Sequence, residues 1–322
     1  MRQFAKPTIV VSKCLEFDAC RYNGEMIPDV TIRNLQPFVT FIPVCPEVEI
    51  GLGTPRETIR IVEENGENRL VQPSTREDVT EKMEQFSNDF LQTISDVDGF
   101  ILKNRSPSCG TRDVKFYSGF EKAPAKGKGS GLFGGAVVKK FSHLPIEEEG
   151  RLSNFIIREH FFTRLFTIAY YKMIKHNKNM KDLVSFQSDN KYLFMAYNQV
   201  KQKELGRIIA NHKNEKIEVV FENYEKTLYE LFMRTPRYTS NVNVCEHIFG
   251  YFKTKLKKQE KDHFIELLQK YAEKKIPLSS LLTILKSWAI RFDEKYLLRQ
   301  TYFEPYPEAL VEISDSGKGR DY

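Results

Sequence analysis

Short apolar runs set the rhythm of the first half of the chain. TIVVS (8–12), FVTFI (38–42), GFILK (99–103) and GAVVKKF (135–141) have the length and β-branched content of buried strands. Between the second and third, TREDVTEKMEQFSNDFLQTI (75–94) changes period. Val79, Met83, Phe86, Phe90, Leu91 and Ile94 recur at helical spacing, and Ser74 or Thr75 offers an N-cap ahead of acidic first-turn residues. Strands alternating with helices predict an α/β domain with a largely parallel sheet. The glycine-rich EKAPAKGKGSGLFGG (121–135) matches neither the Walker pattern nor a G-x-G-x-x-G that follows a strand, and reads as a flexible loop before the last strand. Its glycines leave a substrate-covering role open.

From about residue 151 the pattern is helical. NFIIREHFFTRLFTIAYYKMI, EKIEVVFENYEKTLYELFMR and NVCEHIFGYFKTKLKKQEKDHFIELLQKYAEKK keep apolar residues three and four apart, and IPLSSLLTILKSWAIRF continues with Pro277 suited to a first turn. The tail EPYPEALVEISDSGKGRDY reads as extended, then disordered. The predicted organisation is an α/β domain over 1–150 and a mostly α-helical domain over 151–322, with no internal repeat.

Composition agrees with two globular cores: 322 residues, 41% hydrophobic, 29% charged and 12% aromatic. No apolar run approaches the ~20 residues of a spanning helix, and the N-terminus lacks a signal-peptide pattern, so no membrane partner and a cytoplasmic location are expected. Charge is uneven. Residues 1–150 carry 19 Lys+Arg against 22 Asp+Glu, whereas residues 151–322 carry 30 against 21. The second half has the bias of a nucleic-acid binder, and equally that of a helical domain with solvated lysine faces.

The five cysteines change the picture. Cys14, Cys20, Cys45 and Cys109 lie in the first third, and three of them follow an apolar strand: TIVVSKC, FVTFIPVC and GFILKNRSPSC. At the carboxyl ends of parallel strands, residues distant in sequence converge on one crevice. Zinc sites favour C-x2–4-C pairs, which are absent here; Cys14 and Cys20 are spaced C-x5-C. Thiolates delivered from separate strand ends suit an iron–sulfur cluster, and spacing favours that reading over zinc or inert thiols.

SKCLEFDACRYNG, PVCPEVEIGLGTPR and GFILKNRSPSCG resemble the three signature blocks of the thiouracil desulfidase (TudS-like) family. SFQSDNKYLFMAYNQVKQKELGRIIAN, NVCEHIFGYFKTKL and YLLRQTYFEPYPEAL resemble the YbgA-like domain found fused behind it. The fused arrangement resembles bacterial enzymes that remove sulfur from 4-thiouridine in tRNA. The resemblance implies a [4Fe-4S] cluster held by Cys14, Cys45 and Cys109, with one iron open for the thio sulfur, and Cys20 in a supporting role or as a further ligand. It places a catalytic carboxylate at Glu47, to activate water or shuttle a proton, for which a salt bridge to Arg56 or Arg21 is the structural alternative. Ser106 is expected to bond the base or position water, and Ser108 to bond a sulfur. Pro43, Pro46 and Pro107 stiffen the ligand loops.

In the basic half, TPRYTSNVNVCEHIFGYFKTKLKK (235–258) interleaves aromatics, amides and bases. Arg237, Tyr238, Lys253 and Lys257 are the candidate RNA contacts. On the helix expected over 242–258, Ile248, Phe249, Phe252 and Leu256 form the core face and Cys245 a buried thiol. Blocks that carry histidines in the YbgA-like domain have Gln187, Asn190, Tyr197 and Asn241 here, which argues against a metal site built from them. His176 and His212 read as surface residues. The expected activity is therefore ATP-independent conversion of 4-thiouridine in tRNA to uridine with release of hydrosulfide. A thiolation enzyme would need nucleotide chemistry, and neither a P-loop nor an SGGxDS-like loop is present. Desulfuration of free thiouracil or thionucleosides, and a non-catalytic iron–sulfur RNA-binding or redox-sensing module, are the alternatives. The sequence does not fix the oligomeric state.

Overall fold

The computed structural model describes residues 2–64, 66–94, 96–120, 124–211, 213 and 215–315. His212 and the tail expected to be disordered from 316 on lie outside them. Two compact units divide the chain: the first runs to Ala169 and takes in the chain again from Ala309, and the second is Tyr170–Glu308.

In chain order the strands of the first unit are β1 (Thr8–Ser12), β2 (Thr40–Val44), β3 (Arg60–Glu64), β4 (Glu67–Gln72), β5 (Glu77–Asp78), β6 (Gly99–Leu102), β7 (Val114–Tyr117), β8 (Ala125–Gly129) and β9 (Ile146–Glu148). Its helices are α1 (Val30–Leu35), α2 (Pro46–Glu49), α3 (Thr80–Thr93), α4 (Leu132–Phe141), α5 (Glu149–Leu152) and the start of α6 (Phe155–Asn177). The predicted parallel sheet is present, in the order β2-β1-β6-β9, with every pairing parallel. Its central strands are buried on both faces, as their unbroken apolar runs require. Pro43 is accommodated because β2 is an edge strand, which lets the strand run two residues past the predicted FVTFI.

Two expectations are corrected. GAVVKKF is not a strand: Phe133, Val137 and Phe141 recur every four residues, and that spacing forms the buried face of α4. The glycine-rich segment is not a plain loop either, since β8 and the start of α4 occupy much of it. Helix α3 begins at Thr80 rather than near 75, because residues 77–78 pair with β4 and the Asp78 carboxylate accepts from Thr80 N–H at 2.9 Å. A second sheet, β5-β4-β3-β7-β8, was not predicted, although Asn65–Gly66 is a hairpin signal.

The second unit is helical as expected, with α7 (Met180–Asp189), α8 (Lys191–Tyr197), α9 (Gln199–Ala210), α10 (Ile217–Leu231), α11 (Tyr238–Phe249), α12 (Lys258–Ala272), α13 (Leu278–Arg291) and α14 (Lys295–Leu298). The helix expected over 242–258 starts earlier and ends at Phe249, with a 3-10 turn over Gly250–Phe252. Ile248, Phe249, Phe252, Leu256 and Cys245 are buried as predicted. Pro277 stands at the N-cap of α13, one place before the helix. Polar residues at the former histidine positions bond inside this unit. Asn241 joins the Tyr271 hydroxyl at 3.1 Å and Tyr302 at 2.9 Å, and Tyr224 donates to Gln187 at 2.6 Å.

Helix α4 is pressed against the loop that follows β6. Gly131 N–H donates to Gly110 O at 2.7 Å and Gly134 N–H to Ser108 O at 2.9 Å. A Cβ on Gly131 would stand 2.5 Å from Ser108 O, and one on Gly134 would overlap the carbonyls of Cys109 and Gly110. Gly134→Val should therefore cost about 1–3 kcal/mol in a urea titration, as overpacking does. A second prediction concerns pH. Burial, with the Arg164 charge behind it, pushes the His160 imidazole on α6 down from 6.5 to about 3. Over that interval the unfolded chain takes up a proton that the folded protein does not, so stability rises with pH from about 3 to 6.5. His160→Gln should flatten that slope, read from urea midpoints across the interval.

Candidate metal and catalytic centre

All four strands of the parallel sheet end at one edge, and each delivers chemistry there. Ser12 of β1 pairs with Val44 of β2, and Leu102 of β6 with Glu148 of β9. Cys14 follows β1, Cys45 follows β2, and Cys109 lies in the loop after β6. The connections from β1 and β6 leave in opposite directions along the sheet, which opens a crevice between them.

The four cysteines of the first unit are free thiols, and Cys20, Cys45 and Cys109 are buried while Cys14 is partly exposed. They influence one another electrostatically. Burial and then Cys45 push the Cys14 thiol up to about 12, and the same two causes push Cys20 up to about 12. Burial dominates for Cys109, also raised, with Cys14 and Cys45 adding to it. Cys45 Sγ lies 3.8 Å from the Cys20 carbonyl. Among the described residues no three His, Cys, Asp or Glu side chains could hold a metal ion. A polynuclear cluster takes its thiolates at separate metal atoms, so its ligands stand farther apart than those of one ion.

Short helix α2 starts at Cys45 and sets Glu47 in its first turn. The Glu47 carboxylate is 12% exposed and is fully engaged on one side. Arg56 Nε and Nη2 both donate to Oε2, at 2.9 and 2.6 Å. On the other side Ser108 Oγ donates to Oε1 at 2.6 Å, with Ser106 Oγ at 3.4 Å. The structural partner weighed for Glu47 is thus Arg56; Arg21 bonds Glu25 instead. Ser106 and Ser108 hydroxyls are 2.9 Å apart. Ser106 Oγ also accepts from Cys109 N–H at 3.1 Å and Ser108 N–H at 3.3 Å, so it braces the cysteine loop. Buried Ser108 reaches both Glu47 and, at 3.8 Å, Cys109 Sγ.

Several residues at this edge were not singled out from the sequence. The Ser12 hydroxyl accepts from Lys103 N–H at 2.8 Å and bonds the Cys109 thiol. Lys103, whose charge acts on Cys14, pairs with Glu149 and Asn104. Glu148 accepts from Thr111 N–H at 2.7 Å and Arg112 N–H at 3.2 Å, and burial raises its pKa. The signal was the run Glu147–Glu148–Glu149 after Pro145–Ile146, where acids appear beside apolar residues with no basic neighbour until Arg151.

In the second unit, Arg237, Tyr238, Lys253 and Lys257 are all exposed. Arg237 caps α11 and Lys257 caps α12. Tyr238 packs on Tyr271 with centroids 5.1 Å apart, under the Lys274 ammonium at 5.0 Å. Lys253 lies over Phe249 at 6.0 Å. His176 is exposed.

Comparison with known proteins matches two parts of the chain to two families. The profile of the family described as 2-thiouracil desulfurase matches residues 9–149, and that of a protein of unknown function, DUF1722, matches residues 191–307. The chain is similar to the uncharacterized protein YbbK of Bacillus subtilis (strain 168), 36% identical over 110 residues, covering 32% of this chain and 73% of that protein. It is similar to the uncharacterized protein YbgA of Escherichia coli (strain K12), 23% identical over 156 residues, covering 48% of this chain and 92% of that protein. A solved structure, described as the [4Fe-4S]-dependent thiouracil desulfidase TudS, is 27% identical with a TM-score of 0.36, covering 46% of this chain and 93% of its own. The chain belongs to the 2-thiouracil desulfurase family, with a DUF1722 domain behind the desulfurase domain.

Proposed function

We propose that this protein is a [4Fe-4S]-dependent desulfidase that converts 4-thiouridine in tRNA to uridine and releases hydrosulfide. The observation that carries the reading is the convergence of Cys14, Cys45 and Cys109 with the Glu47 carboxylate at one edge of a desulfurase-family sheet. The thiols suit the cluster: burial, with the neighbouring thiols adding to it, pushes Cys14 and Cys109 up, and a cationic metal centre is what lets such groups persist as thiolates. Cys14, Cys45 and Cys109 would hold it, and when bound the cluster supplies an open iron, a Lewis acid with affinity for sulfur.

The protein's own groups supply the rest. Replacing C=S by C=O consumes one water and releases hydrosulfide. Glu47 Oε1 takes one proton of the attacking water, the second leaves on sulfur as the C–S bond breaks to give hydrosulfide, and Arg56 and Ser108 hold the carboxylate in place. Ser106 acts through Ser108 and the backbone of the cysteine loop. Ser108, Cys45 and Cys109 beside it are buried, which limits the water around the carboxylate. The exposed bases and Tyr238 of the second unit serve as the tRNA-docking groups, offsetting the few kcal/mol needed to extrude a stacked base.

The test is anaerobic incubation of reconstituted protein with 4-thiouridine-containing tRNA, followed by nucleoside mass spectrometry. Uridine and sulfide should appear without ATP. Intact 4-thiouridine in tRNA alongside turnover of free thiouracil would transfer the assignment to the small molecule, and a loaded protein that turns over neither would sink the desulfidase reading. Glu47→Gln should keep the iron content and lose roughly 10²–10⁴-fold in rate. Serine at Cys14, Cys45 or Cys109 should instead lower bound iron. Activity on tRNA should fall steeply with added salt, and activity on a free thionucleoside should not.

A further inference from the structure

Arg56 makes more bonds than a neutralising partner needs. Its side chain is 4% exposed. Nη1 donates to the Cys20 carbonyl at 2.9 Å and to the Gly53 carbonyl at 2.9 Å, while Nε and Nη2 converge on the single oxygen Oε2 of Glu47. A carboxylate oxygen has two lone pairs, so two donors saturate Oε2. Oε1 accepts from Ser108 at 2.6 Å, and the single Ser106 proton, 3.4 Å from Oε1, has the Ser108 oxygen nearer at 2.9 Å, so Oε1 keeps a lone pair. The backbone supports this arrangement. Gly53 has φ +70, a left-handed turn that glycine adopts freely and that presents its carbonyl to Arg56. Arg56 N–H, in turn, donates to the Tyr22 carbonyl at 2.8 Å. A salt bridge and a catalytic carboxylate are therefore not alternatives at Glu47.

We propose that Arg56 is the positioning residue of the reaction: it occupies both lone pairs of Oε2 of Glu47 and leaves the open lone pair on Oε1, while tying the Cys20 and Gly53 loops to the same carboxylate. The inference rests on the desulfidase reading for its kinetic consequences. A lysine cannot reproduce it, because a point ammonium does not span one carboxylate oxygen and two carbonyls in a fixed plane.

The test uses Arg56→Ala and Arg56→Lys in the full-length reconstituted protein. Iron content and visible absorption should match wild type, kcat on a thiolated pyrimidine should fall about tenfold or more with KM little changed, and added guanidinium should restore part of the rate in Arg56→Ala. In a Glu47→Gln background, Arg56→Ala should cost nothing further, since it acts through Glu47. Unchanged kcat, independent losses in the double variant, or loss of iron in both Arg56 variants would each overturn the proposal. A readout without turnover separates it from the reading beneath it. Carbodiimide labelling of Glu47, mapped by peptide mass spectrometry, should be faster in Arg56→Ala than in wild type, and equal labelling overturns the positioning role. If labelling behaves as expected but wild type desulfurates no thiopyrimidine, the positioning stands and the desulfidase reading fails.

Discussion

The register of the parallel sheet is the constraint on which the rest depends. With Ser12 opposite Val44 and Leu102 opposite Glu148, all four strands stop at one level, and the next residues of each chain segment share one edge. A one-residue slip of any strand would move each of its side chains to the opposite face and carry its cysteine or glutamate out of level with the others. The buried, β-branched β1 and the fully apolar β6 fix that register through packing, so the chemistry at the edge is a by-product of core burial a few residues earlier. Gly131 and Gly134 then hold the cysteine loop after β6 against α4.

Much of this was legible in the sequence because it rests on local pattern. TIVVS and GFIL are strands in almost any context, and cysteines just beyond them predict convergence. What stayed hidden depends on contacts between distant segments. GAVVKKF looks like a strand by composition, and only its four-residue spacing, together with docking on the Cys109 loop, makes it a helix. β9 is three residues long, too short to show a period, so Glu148 and Glu149 were passed over although they reach the site. Ser106 and Ser108 were both singled out. Their different bonds, one to backbone N–H groups and one to the Glu47 carboxylate, could be told apart only in three dimensions.

The second unit shows the same limit from the other side. Its helical periods were plain, and the buried faces of α10 and α11 follow them. Tyr224, Asn241, Tyr271 and Tyr302 are polar residues in its interior, each bonded to another, so this core is partly a hydrogen-bonded one. Such a network fixes a unique arrangement more than it adds stability, since each member is costly when left unpaired.

The two serines at the ends of neighbouring strand connections have one more consequence. Ser12 Oγ accepts from Lys103 N–H, and its proton is free for Cys109 sulfur. Ser108 has a single proton, and the carboxylate at 2.6 Å holds it ahead of the Ser106 hydroxyl at 2.9 Å and the sulfur at 3.8 Å. Sulfur and base are thus each served by a hydroxyl of their own. The fold thus supplies, from its own side chains, the hydrogen-bond donors that solvent would otherwise give to this carboxylate and this sulfur.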